Sequence, residues 1–128
     1  MTDTDSLAFA AQVIEWGLSK KAEDPVLLDL RELFDVTDCF VVLTGSSELQ
    51  VRAIVDAILD GAREQTEKPN HVEGTERARW VLIDFVHVVV HVMLPEVRMR
   101  YGLERLWGDA PMTRFDELGQ PVAEGETA

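Results

Sequence analysis

Residues 39–58, CFVVLTGSSELQVRAIVDAI, decide the fold. Cys39 to Thr44 is almost wholly apolar, the pattern of a strand covered on both faces. Gly45-Ser46-Ser47 then breaks the run, and Ser47 and Gln50 have the spacing of a capping box. Beyond them Val51, Ile54, Val55, Ile58 and Ala62 recur at helical spacing. Glu48, Arg52, Asp56, Asp60 and Arg63 fall mostly off that stripe. Lys68-Pro69 should end the helix. A strand running into a helix in this way predicts a crossover to a parallel neighbour, which is right-handed in nearly all folds.

Upstream, residues 5–21 read as a helix. Asp5 and Ser6 can cap it, and Ala10, Val13, Ile14, Gly17 and Leu18 keep one face apolar or small. Asp24-Pro25 closes that segment, and Val26 to Leu30 is a strand with Leu27, Asp29 and Arg31 on one face. Downstream come a short strand at His71 to Glu73, a turn at Gly74, and strands at Arg79 to Phe85 and Val88 to Leu94. Pro95 starts a helical turn running through Arg98, and residues 101–109 are rich in large side chains. After Pro111 the apolar density falls. Residues 1–111 are therefore read as one domain and residues 112–128 as an acidic, mobile tail. The order is α-β-β-α-β-β-β-α, an α/β (α+β) fold. A mixed sheet of about five strands carries two main helices on one face, a short helical segment follows, and the other face is left partly open.

The chain has 128 residues, 46% of them apolar and 28% charged, which suits one soluble globular domain. No apolar run approaches the roughly 20 residues of a membrane span, and MTDTDSLAFAAQ lacks the marks of a signal peptide. The single Cys39 forms no internal disulfide, so a reducing, cytoplasmic setting is expected. Acidic residues number 24 against 12 basic ones, a net charge of −12. Arginines such as Arg31, Arg52, Arg63, Arg77, Arg79, Arg98, Arg100 and Arg105 are scattered rather than gathered in a patch. Direct nucleic-acid binding and attachment to anionic lipid are therefore not expected. A basic protein surface is a favoured partner, and solubility alone is the other role open to such a charge.

Little in the sequence is arranged for catalysis. His87 and His91 lie four apart, but VHVVVHV is β-branched and reads as a strand, where they stand about 13 Å apart. No metal is expected, and His91 reads as a structural histidine. Cys39 opens a buried strand and reads as a small hydrophobe. There is no G-x-S-x-G elbow. A strand ending in Gly45-Ser46 before a helix is also how nucleotidyltransferases hold a phosphate. They then need two carboxylates one residue apart for magnesium, and the acids that follow are Glu48, Asp56 and Asp60. A glycine turn with a serine cap is the simpler reading.

The stronger signal is aromatic. Along the strand from Arg79, Val81, Ile83 and Phe85 share one face and Trp80, Leu82 and Asp84 the other. With the first set under the helices, Trp80 and Leu82 stand on the open face beside a carboxylate, as a contact anchor would. Leu103, Leu106 and Trp107 add apolar area, flanked by Glu104, Arg105 and Asp109. Alternatively the C-terminal segment folds back over Trp80.

KKAEDPVLLDLREL, DCFVVLTGSSELQVRAIVDAI, EGTERARWVLIDF and VVVHVMLPEVRMRYGLERLWGDAP together resemble the ribosomal silencing factor family, also called the Iojap family. The resemblance covers about residues 5–111, and RWVLID and LERLWGD are its most specific parts. It implies a protein that is not an enzyme and has a fold similar to a stripped-down nucleotidyltransferase, with no cofactor. The implied partner is a basic protein of the large ribosomal subunit, universal protein fourteen. Binding there would block joining of the subunits by occupying space and lower translation when nutrients are short. The resemblance also implies homodimers when free and, for organellar relatives, a role in large-subunit assembly. It places partner binding on Trp80, Leu82, Asp84, Tyr101, Leu103, Glu104, Leu106, Trp107 and Asp109, with Glu96, Arg98 and His91 as lesser members. Two departures are local: Val86-His87 stands where the family has a Gly or Asp turn, implying a longer or bulged hairpin, and Pro25 is unusual at the strand entrance.

Overall fold

A computed structural model describes residues 3–33 and 35–122. In chain order the elements are α1 (Asp3–Leu18), β1 (Glu23–Asp29), β2 (Cys39–Thr44), α2 (Glu48–Glu64), β3 (His71–Glu73), β4 (Trp80–Asp84), β5 (Val88–Met93), α3 (Pro95–Tyr101), α4 (Leu103–Leu106), β6 (Met112–Phe115) and β7 (Pro121–Val122). The strands form one mixed sheet in the order β3-β4-β5-β2-β1-β6-β7. Among the described residues only β2 and β5 pair in parallel, from Cys39↔Val88 to Thr44↔Met93, and α2 lies on the connection between them. No helix among the described residues is long and apolar enough to cross a membrane.

The register assigns every strand residue to a face. Val41, Leu43, Val81, Ile83, Val90 and Val92 pair on one side and are buried beneath α1 and α2. The predicted stripe of α2, Val51, Ile54, Val55, Ile58 and Ala62, is the buried one. Phe9 of α1 packs edge-on against Phe85 with centroids 4.9 Å apart. The two helices approach closely because position 61 is glycine: a methyl there would lie 2.3 Å from the Trp16 ring.

Local turns account for most boundary shifts. α1 stops at Leu18, short of the expected residue 21, before the proline acts. Lys21 adopts φ 63°, and the Lys21 and Ala22 amides donate to the carbonyls of Leu18 and Gly17. Pro25 lies within β1 at a break in pairing between Glu23 and Val26, where its missing N–H costs no ladder bond. The β4–β5 hairpin is neither long nor bulged as expected. His87 N–H donates to Phe85 O across Val86, which takes φ 77° in a tight γ-turn, and Asp84 Oδ1 accepts from the Val86 amide at 2.7 Å. Gly74 turns β3 into β4 at φ 88°, and a methyl there would meet Trp80 O at 2.1 Å.

The sheet has two strands more than the five expected. Residues 112–115 and 121–122, expected in a mobile tail, pair onto it instead: β6 runs antiparallel to β1 (Leu28↔Met112, Val26↔Arg114) and β7 to β6. Without β6, β1 would present an open row of N–H and C=O groups. Four residues, MTRF, are too few for period-2 alternation to stand out against a polar background. The connecting turn is held by Asp116 Oδ1, which accepts from the Leu118 and Gln120 amides. Residues 123–128 of the expected tail lie outside the described residues.

The start of α2 is tied to the end of α1 by one side chain. Ser47 caps the helix by accepting from the Gln50 amide at 3.1 Å. Gln50 Oε1 accepts from the Ser46 amide and hydroxyl at 2.6 and 2.7 Å, so the box closes on Ser46 rather than Ser47. Gln50 Nε2 donates to Lys20 O and Lys21 O at 3.1 and 3.0 Å. Gln50→Ala is expected to lower stability by about 1–2 kcal/mol in urea unfolding. A change below about 0.3 kcal/mol would mean that water replaces these exposed bonds without loss.

Candidate partner-binding surface

The second face of the sheet carries Leu28, Phe40, Val42, Trp80, Leu82, His91 and Met93, as the pairings Leu28↔Phe40, Val42↔His91, Leu82↔His91 and Trp80↔Met93 require. Its centre is covered by α3 and α4: Val97 and Leu103 join the core, and Val42, His91 and Met93 beneath are buried. Toward β4 the cover ends, leaving Trp80, Leu82 and Asp84 half-buried. The C-terminal segment thus reaches the indole without enclosing it, since Tyr101 packs against Trp80 and the ring stays half-buried.

Five rings form a continuous row across this face. Tyr101 lies 4.9 Å from Trp80, Trp80 5.9 Å from His91, His91 4.7 Å from Phe40, and Phe40 6.0 Å from Trp107, measured between centroids. The ends reach solvent: Tyr101 is 54% exposed and Trp107 is half-buried. Leu106 (71% exposed) and Met99 (79%) extend the apolar area on the outer side of α3 and α4. Asp109 and Glu96 are exposed.

The remaining expected contacts have internal roles. Leu103 is a core residue. Asp84 holds the β4–β5 turn with one oxygen. Glu104 accepts from Arg98 Nε at 3.3 Å. Arg98 is itself a strut, its Nη1 donating at 2.7 Å to both Asp24 O and Thr44 Oγ1. It locks α3 to β1 and β2 instead of facing outward. Phe40 and Met99 escaped the sequence reading. Phe40 sits in a run without alternation, where periodicity cannot tell the two faces apart. Met99 lies beyond the turn expected to end at Arg98.

His91 accepts from Trp80 Nε1 at 3.1 Å through Nδ1, and burial pushes its pKa down to about 4. Cys39 is fully buried and desolvation raises its thiol to about 12, which keeps it from acting as a thiolate nucleophile at neutral pH. Ser6, Asp38 and His87 do meet. Asp38 Oδ2 accepts from Ser6 Oγ at 2.5 Å and lies 3.6 Å from His87 Nδ1. The carboxylate therefore stands between hydroxyl and imidazole, whereas an activated serine needs the imidazole in that place. At the Gly45-Ser46 turn, the amide and hydroxyl of Ser46 are already taken by Gln50.

These features define a class: a mixed-sheet α+β domain with two long helices over one face and, over the other, a short helical cover edged by a half-exposed aromatic row. A family model described as ribosomal silencing factor during starvation matches residues 3–128. The chain belongs to this ribosomal silencing factor family. It is 40% identical over 116 residues to the ribosomal silencing factor RsfS of Halalkalibacterium halodurans, covering 91% of this chain and 97% of that one. A crystal structure of a Chromobacterium violaceum protein superposes with a TM-score of 0.77 at 36% identity, covering 84% of this chain and 88% of that one. A mouse protein named mitochondrial assembly of ribosomal large subunit protein 1 is 30% identical over 109 residues, covering 82% of this chain and 46% of its own length.

Proposed function

We propose that this chain is a cytoplasmic, non-enzymatic repressor of translation. It binds the large ribosomal subunit through a basic ribosomal protein, universal protein fourteen, and blocks joining of the small subunit by occupying space when nutrients are short. Family membership across residues 3–128 carries this reading. The net charge of −12 supports it, because it favours a basic protein surface. The half-exposed aromatic row supports it too, since such groups anchor interfaces. On this reading Trp80, Leu82, Tyr101, Leu106 and Trp107 supply buried area, and Asp109 meets lysine or arginine at the rim. Asp84, Leu103 and Glu104 support the surface from behind. The free protein is a homodimer.

Purified protein is expected to co-sediment with isolated large subunits and, at saturation, to reduce the joined-ribosome peak after small subunits are added. Raised salt should weaken the interaction, as it does for charged interfaces. Undiminished joining at full occupancy of the large subunit would sink the repressor reading.

A second reading is an assembly factor acting through the same surface, favoured by the name of the mouse relative. Deleting the gene should then accumulate immature large subunits during rapid growth. A defect confined to starvation counts against it.

A further inference from the structure

His91 occupies the middle of the aromatic row and is 4% exposed. Its two ring nitrogens are in opposite situations. Nδ1 lies 3.1 Å from Trp80 Nε1, an indole N–H that can only donate, so Nδ1 carries no proton. The neutral ring's proton is therefore on Nε2, and among the described residues the buried Nε2 has no hydrogen-bond partner. Three of its neighbours have apolar side chains with no acceptor to offer: Phe40 packs edge-on, and Val42 and Leu82 stand opposite on the neighbouring strands. A leucine would fill this spot without stranding a buried donor. What histidine adds is one acceptor, and the indole uses it.

We infer that His91 is a positioning residue for Trp80: its Nδ1 draws the indole N–H inward and so fixes which edge of the ring the surface presents. Tyr101, itself 54% exposed, packs against the ring at 4.9 Å with a tilt of 48°. With its only donor engaged inside the protein, Trp80 offers a partner ring surface and no hydrogen bond. The group that meets it is then an apolar side chain or the stem and cation of a lysine or arginine, which pack on indole without needing a donor. This rests on the proposed role of the Trp80 surface in binding the large subunit.

The test uses the full chain with His91→Leu, His91→Asn and Trp80→Ala. Asparagine Oδ1 lies close to the position of Nδ1 and keeps the acceptor. The Trp80 indole N–H signal in NMR, assigned by its loss in Trp80→Ala, reports the hydrogen bond directly. In His91→Leu that signal should move upfield and exchange with solvent about tenfold faster, and binding to isolated large subunits should weaken about tenfold. His91→Asn should recover most of both effects. An unchanged indole signal in His91→Leu overturns the inference. So does a binding loss that asparagine fails to recover while the indole bond is restored. If Trp80→Ala leaves large-subunit binding intact, the proposed surface falls, and the indole signals of the two His91 variants alone decide the positioning role.

Discussion

Trp80→Ala is expected to weaken binding to isolated large subunits by at least about thirtyfold, ~2 kcal/mol, with little change in far-UV circular dichroism. The ring is half-buried, with Tyr101 against one side and His91 beneath, so its truncation removes both contact area and the prop under Tyr101. The fold should survive, because the larger part of the core lies between the sheet and α1–α2, and the half-buried Trp80 only edges the smaller part under α3 and α4. Trp107→Ala is the less clean probe, since Trp107 caps the end of α4 and packs edge-on against Phe40, and its loss would also loosen that helix. Sedimentation of both variants with large subunits at two salt concentrations measures the effect. Undiminished binding by Trp80→Ala would move the interface elsewhere on the molecule.

Acid should destabilise the protein through His91 by about 3 kcal/mol, since each tenfold difference in proton affinity between folded and unfolded states is worth about 1.4 kcal/mol. In the unfolded chain this imidazole takes up a proton near its ordinary value of 6.5, whereas in the fold burial holds that back to about 4. Between those values the unfolded state binds more protons. Stability therefore falls as the pH drops below 6.5, and the loss is complete just below pH 4. Protonation would also set a second N–H against the Trp80 indole N–H, so opening should begin at the aromatic row. Urea unfolding of the wild type and His91→Leu from pH 7.5 to pH 4 isolates this contribution, since the other titrating groups are common to both. Parallel curves would refute it. Asp29 belongs to a lower window. The Arg31 guanidinium, hydrogen-bonded to it at 2.6 and 2.9 Å, holds its carboxyl below the ordinary 3.8. Its contribution is present above that value and is lost only as the pH falls through the lower folded one.

Legibility varied with the range of the forces involved. β2 runs from Cys39 to Thr44 as read, and the buried stripe of α2 matches residue for residue, because each pattern repeats within a few neighbours along the chain. The alternation of β4 separated Val81 and Ile83 from Trp80, Leu82 and Asp84 for the same reason. Errors gathered where one residue's fate depends on another far away. Arg98 and Glu104 looked like outward charges, yet Arg98 closes on Thr44, 54 residues earlier. Leu103 and Leu106 share a four-residue helix and a hydrophobic character. One is 7% exposed and the other 71%, which is decided by the sheet beneath α4 and by nothing in LERL itself.

Taken alone, the amino-acid sequence determined the fold class, the main strands and helices, the excess of negative charge and the family, all of which rest on local periodicity, composition or signature segments. Tertiary structure alone decided that β6 completes the sheet beside β1, that Phe40 and His91 link Trp80 to Trp107, and which side chains of α3 and α4 face water. The physical reason is that backbone preference is settled between near neighbours, whereas burial and hydrogen-bond partnership are settled by whichever distant segment covers or pairs with a residue once the chain has folded.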